Sequence, residues 1–173
     1  MAILEIRKYP DPVLRRKSKP VTEITPEIQK LIDDMIETMY AAPGVGLAAP
    51  QVGIPLRLAV IDVSTRDDPH PLLVLINPVI ISREGELNEE EGCLSVMDFQ
   101  SNVTRYAKVR IRATDRDGKT YEAEGQELLA RAFQHELDHL DGILFIDRIS
   151  PLKRDLFKRR IKKNIKEDKA EVG

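Results

Sequence analysis

The chain has 173 residues, 42% of them hydrophobic and 32% charged, with a net charge of −2. Those figures describe an ordinary globular protein long enough to bury roughly 70% of the surface its unfolded chain exposes, which fits one domain over residues 1–173. The near balance of charge gives no global attraction to DNA or to an anionic membrane, and no apolar run approaches the roughly 20 residues that a bilayer span needs.

The start, Met1-Ala2-Ile3-Leu4-Glu5-Ile6, has no charged leader ahead of a long apolar run, so the expected location is the cytoplasm. Residues 4–24 contain Pro10, Pro12 and Pro20 and read as irregular chain wrapping the surface. Thr25-Pro26-Glu27 opens a helix: a hydroxyl N-cap, proline at the first helical position, then an acid. Ile28, Leu31, Ile32, Met35, Ile36 and Met39 follow as one apolar stripe, ended by Pro43-Gly44. Short strands are expected over Arg57 to Val63 and Leu72 to Asn77. Lys108 to Thr114 alternates charged and apolar residues, Asp115-Arg116-Asp117-Gly118 reads as a hairpin turn, and Lys119 to Glu124 is the return strand. A second helix is expected from about Gly125 to Leu140, closed by Gly142, and a third from Ser150-Pro151 onward. Strands followed by helices, without βαβ alternation, predict an α+β fold of mainly antiparallel sheets packed around the second helix, with an N-terminal and a C-terminal helix beside it.

The second helix carries His135-Glu136-Leu137-Asp138-His139. Residues four apart share one helix face, so both imidazoles can reach one metal ion. Glu136 lies about 100° round the helix, near such an ion without ligating it, which is where a base for a water held by the ion belongs. The plainer alternative is a pair of histidines on a solvated helix. Against it, two of the chain's three histidines fall in this motif, and the third, His70, sits in a polar turn expected at the surface. Leu128 and Ala132 extend the histidine face backwards and are candidates to wall an apolar substrate pocket. Leu129, Phe133, Leu137 and Leu140 form a neighbouring stripe suited to the core.

A catalytic site of this kind usually has three protein ligands and an open position. Three sources of the third are available. A histidine at H-E-x-x-H-x-x-G-x-x-H fails, because Gly142 matches but Phe145 stands at the decisive place. A glutamate on a later helix, Glu167 or Glu171, would have to come from a charged tail. The lone cysteine, Cys93, follows a glycine that lets backbone approach closely, and a metal would keep its thiol deprotonated; taken alone, a single cysteine is more often buried apolar filler.

Three segments in order, Gly44-Val45-Gly46-Leu47-Ala48-Ala49-Pro50-Gln51, Glu91-Gly92-Cys93-Leu94-Ser95 and Gln134-His135-Glu136-Leu137-Asp138-His139, resemble the peptide deformylase family. The similarity spans nearly the whole chain, including Asn77-Pro78 and Ser150-Pro151-Leu152. The resemblance implies a hydrolase that removes the formyl group from the N-terminal methionine of new proteins. It implies that Cys93, His135 and His139 hold the ion and that Glu136 is general base and acid. It implies that the Gln51 side chain and the Leu94 backbone N–H hold the formyl oxygen, while backbone around Val45 and Gly46 pairs with the peptide as an added strand. Fe2+ is the implied ion, with Ni2+ and Zn2+ able to substitute. The chain departs from the family's pattern at Met97, where many members have proline, and this bears on the loop that follows.

From Pro151 to Lys166 the third helix is strongly basic, with Leu152, Leu156, Phe157 and Ile161 as a candidate apolar seam. A charge run of this sort is usually a solvated face. The functional alternative is docking on a polyanion, and the resemblance implies the ribosome as that partner, alongside N-formyl-methionyl nascent peptides as substrate. Competing with the deformylase reading are a zinc endopeptidase built on the same helix and a non-catalytic RNA-binding protein with a structural metal.

Overall fold

A computed structural model describes the backbone of residues 2–172, with side chains described except at 97, 98 and 164–172. Three α-helices, α1 (Pro26–Ala41), α2 (Glu127–Leu140) and α3 (Pro151–Val172), accompany seven strands. The strands are β1 (Gly46–Ala48), β2 (Leu58–Ile61), β3 (Leu73–Glu84), β4 (Leu87–Cys93), β5 (Val96–Arg105), β6 (Lys108–Thr114) and β7 (Thr120–Gln126). Five of them form an antiparallel sheet in the order β1-β2-β3-β6-β7, and β4 pairs with β5 in a separate two-stranded ribbon. The fold is α+β, as the pattern of elements predicts.

Helix α1 begins where its capping residues place it. Thr25 Oγ1 accepts from Ile28 N at 3.2 Å, and Pro26 supplies the first helical position. Leu31, Ile32, Met35 and Met39 pack the stripe against β1 and β2, with Leu47, Leu58 and Val60 opposite. Two polar residues of α1 are buried beside that stripe: Asp34 accepts from Ala2 N and Thr38 accepts from Leu4 N, so the helix ties down the N-terminal chain.

The hairpin between β6 and β7 turns where Asp115 Oδ1 accepts from the backbone N–H of Asp117 and Lys119, and Gly118 takes φ +86°. Strand β7 then runs directly into α2. A Cβ on Gly125 would sit 2.8 Å from Leu129 Cγ and from Phe133 Cε2, so glycine is what lets strand and helix lie this close. Phe133, Leu137 and Leu140 of α2 pack against Leu75, Val109 and Ile111 of the sheet, the core role expected of that stripe. The sheet thereby fixes the rotation of α2 about its axis and turns the histidine face away from the main core.

Three expectations need correction. Strand β3 does not stop at Asn77 but continues to Glu84 across a break in register between Ile76 and Val79. There Asn77 takes φ 52° and its amide bonds both Val21 N and Val21 O, while proline 78 has no N–H to give the ladder. The segment around Met97 is strand β5 rather than loop, and the Met97 side chain lies outside the described residues. The candidate seam on α3 is half right. Phe157 is fully buried and Ile161 packs beside it, but Leu152 and Leu156 are 71% and 54% exposed. The two pairs repeat at i, i+4 on different faces, and only one face meets the body of the protein.

Candidate active site

Helix α2 presents His135 and His139 one turn apart, and their Nε2 atoms lie 3.1 Å from each other. The β4–β5 ribbon brings Cys93 to the same point, with Sγ 3.3 Å from His139 Nε2. The three ligand atoms all lie within 4.8 Å of one another. Tetrahedral nitrogen and sulfur ligands at about 2.0–2.3 Å from an ion stand about 3.5 Å apart, near the 3.1 and 3.3 Å of the two contacts that meet at His139 Nε2. Donor chemistry fits as well: one thiol and two imidazole nitrogens suit a borderline divalent transition metal. Neither Glu167 nor Glu171 lies within the described side chains.

The imidazole of His135 is aimed by Glu91, whose Oε1 lies 2.5 Å from His135 Nδ1. That contact leaves Nε2 for the ligand cluster. Burial alone would raise the Glu91 carboxyl. Hydrogen bonds from His135 and Arg105 outweigh burial and hold it well below the usual carboxylate range. Arg105 grips Glu91 with Nη2 at 2.6 Å and Nε at 3.1 Å, and reaches Asp138 with Nη1 at 2.6 Å. Arg131 adds a third cationic contact on Glu91 at 2.7 Å, and Arg148 a second one on Asp138 at 2.6 Å. Burial disfavours charge on both imidazoles. In His139, burial and the neighbouring His135 keep the pKa well below its ordinary value; in His135, the contacts with Cys93 and Glu91 outweigh burial and raise it.

Glu136 is buried beside the cluster, and its Oε1 has no hydrogen-bond partner. Burial is the chief reason its pKa is pushed up to about 7. Its other oxygen occupies space that only glycine leaves open, since a Cβ on Gly46 would stand 2.5 Å from Glu136 Oε2. The Gln51 amide is held at both ends: Oε1 accepts from Ala48 N at 2.9 Å, and Nε2 donates to Ser95 Oγ at 3.2 Å and faces Cys93 Sγ at 3.6 Å.

A cavity of about 810 Å³ adjoins the cluster. Val45, Gly46, Gln51, Leu94, Leu128 and Ala132 all line it, as do Cys93, His135 and Glu136. His139 is almost wholly buried behind them. The residues that the resemblance implies for the site, together with Leu128 and Ala132, are therefore brought to one place. His70 stands apart, half-buried and 3.1 Å from Asp68. The residues that sequence reasoning missed are Arg105, Arg131 and Arg148 and the parts played by Glu91 and Asp138. A faint signal was present: Glu91 is two residues from Cys93 on one strand face, and Arg131 is one helical turn before His135.

Residues 3–155 match the family model described as "Polypeptide deformylase". The chain belongs to the polypeptide deformylase family. It is 59% identical over 163 residues to the peptide deformylase of Acidobacterium capsulatum, covering 94% of this chain and 96% of that one. The crystal structure of a peptide deformylase from Legionella pneumophila aligns with a TM-score of 0.88 at 47% identity, over 96% of this chain and 98% of that one. That of the Ehrlichia chaffeensis peptide deformylase in complex with actinonin aligns at 0.90 with 36% identity, over 95% and 98%. The chain is thus a hydrolase of the deformylase type, a family of metalloenzymes. Among the described residues, no helix is long and apolar enough to cross a membrane.

Proposed function

We propose that the protein removes the formyl group from the N-terminal methionine of new polypeptides in the cytoplasm, as one catalytic unit over residues 1–173. The observation that carries this reading is the convergence of Cys93 Sγ with His135 and His139 Nε2, beside a buried carboxylate, Glu136, that lacks a partner on one oxygen. Cys93, His135 and His139 would hold one divalent ion, Fe2+ in the cell, with Zn2+ or Ni2+ able to replace it. When bound, the ion supplies Lewis acidity, which lowers the pKa of water in the site from about 16 towards about 7 and polarises the formyl carbonyl.

The chain's own residues do the rest. Glu136 takes the proton of the attacking water and returns it to the departing amide nitrogen, and a pKa near 7 suits both directions of transfer. The Gln51 amide, locked by Ala48 and Ser95, donates to the oxygen on which charge develops, together with the Leu94 N–H. Losing one such donor costs ~3–4 kcal/mol of barrier. Gly46 opens β1 and Val45 precedes it; among the described residues β1 pairs only with β2, so its other edge is available for a peptide to add as a further strand. Leu128 and Ala132 wall the methionine pocket. Formate and a free amino terminus leave. The basic helix over 151–166 docks on the ribosome, which cosedimentation at low salt, before and after truncation at Ser150, tests.

Removal of the ion should abolish formate release from formyl-Met-Ala-Ser, and anaerobic Fe2+ should restore it. Retained activity in fully chelated protein would overturn the reading. A ferrous site with a thiolate ligand is open to oxidation, so long aeration should inactivate the Fe2+ form.

A further inference from the structure

Among the described side chains, five charged ones line the cavity: Glu90, Glu91, Arg131, Glu136 and Arg160. Three of them are committed. Glu91 and Arg131 pair with each other at 2.7 Å, both buried, and Glu136 is buried beside the ligand cluster. Glu90 and Arg160 are the exposed ones, and they come from opposite parts of the chain, β4 and α3.

The position of Arg160 is well anchored. Phe157, three residues earlier, is fully buried, with its ring centroid 5.2 Å from that of Tyr9 and 4.8 Å from that of Phe99. Ile161, the next residue, packs on the same cluster, and Arg154 bonds the Ile146 and Asp147 carbonyls to hold the first turn. Arg160 therefore lies on the flank of the docked stripe. Phe99, under α3, lines the cavity too, and Arg160 lines it from the flank of that helix. Lys158 and Arg159 are exposed on the same helix but do not line the cavity.

We propose that Arg160 is a specificity-determining residue of the substrate cavity: its guanidinium receives the carboxylate of an acidic side chain placed shortly after the methionine of a formylated peptide. The chemistry is that of a planar cation with paired donors meeting a carboxylate at a site too exposed for a large effect. Glu90 works in the opposite sense and repels the same side chain. This rests on the reading that the cavity holds the formyl-methionyl peptide.

The test is a comparison of isosteric peptides, with kcat/KM taken from formate release at low salt. Formyl-Met-Glu-Ser-amide is set against formyl-Met-Gln-Ser-amide, and formyl-Met-Ser-Glu-amide against formyl-Met-Ser-Gln-amide. The native enzyme should favour glutamate by about 2- to 5-fold at one or both positions, through KM rather than kcat. Arg160→Gln should bring that ratio to one or below, Arg160→Lys should keep part of it, Glu90→Gln should raise it, and Lys158→Gln should leave it in place. A native ratio of one at both positions, an unchanged ratio in Arg160→Gln, or an equal loss in Lys158→Gln would each overturn the assignment. Formate released with no charge preference sinks Arg160 alone; no formate from any of the four peptides sinks the substrate reading and Arg160 with it.

Discussion

Helix α2 buries ten of its 14 residues, among them Arg131, Glu136, Asp138 and His139, whereas α3 buries Phe157 alone among its described side chains. Both helices are rich in charge, yet the charges mean different things. On α2, Arg131 meets Glu91, and Asp138 meets Arg105 and Arg148, each within 2.7 Å. Taking a charge out of water is costly, so a buried one persists only where a partner or a task compensates. The buried carboxylate of α2 left with an unpartnered oxygen is Glu136, at the ligand cluster. On α3, the described lysines and arginines other than Arg154 are exposed and stay in water at little cost. A charge is informative in proportion to what its burial would cost, and that cost is visible only once burial is known.

Four substitutions sharpen or break this contrast. Glu136→Gln removes the proton carrier while keeping shape, and turnover should fall about 10³-fold with the bound ion retained. Measured loss under tenfold, with metal content unchanged, would strip Glu136 of its role. Arg105→Ala leaves Glu91 and Asp138 buried without their shared cation and should cost ~3–5 kcal/mol in urea unfolding, with weaker metal retention because His135 loses its fixed partner. Phe157→Ala empties the contact that docks α3; ~3 kcal/mol is expected, read as loss of hydrogen-exchange protection confined to that helix and its neighbours. Leu152→Ala, at a side chain 71% exposed, should shift stability by less than about 0.5 kcal/mol. Were Leu152→Ala to cost as much as Phe157→Ala, the four-residue seam first read from the sequence would be the better description of α3.

Much of the architecture was legible beforehand where the signal is local. The Thr25 cap, the α1 stripe, the β6–β7 hairpin and the core stripe of α2 all follow from spacing within a few residues. Strands β4 and β5 were not legible. Leu87–Cys93 reads LNEEEGC and lies mostly in solvent, so it has no apolar alternation to betray a strand. Asp34 and Thr38 were hidden for a different reason: they are polar residues buried beside an apolar stripe, and the N-terminal residues that use them lie more than 30 positions away.

The sequence by itself determined that His135 and His139 share a helix face with Glu136 between them, because helical periodicity acts over four residues. It also carried the family's three motifs in order. It left the third ligand among several candidates when spacing alone was used. Tertiary structure decided that Cys93, 46 residues from His139, closes the cluster, that Glu91 rather than solvent orients His135, and that Arg160 reaches the cavity. Those juxtapositions depend on how a sheet, a ribbon and two helices pack, and no local periodicity encodes the packing of segments distant along the chain.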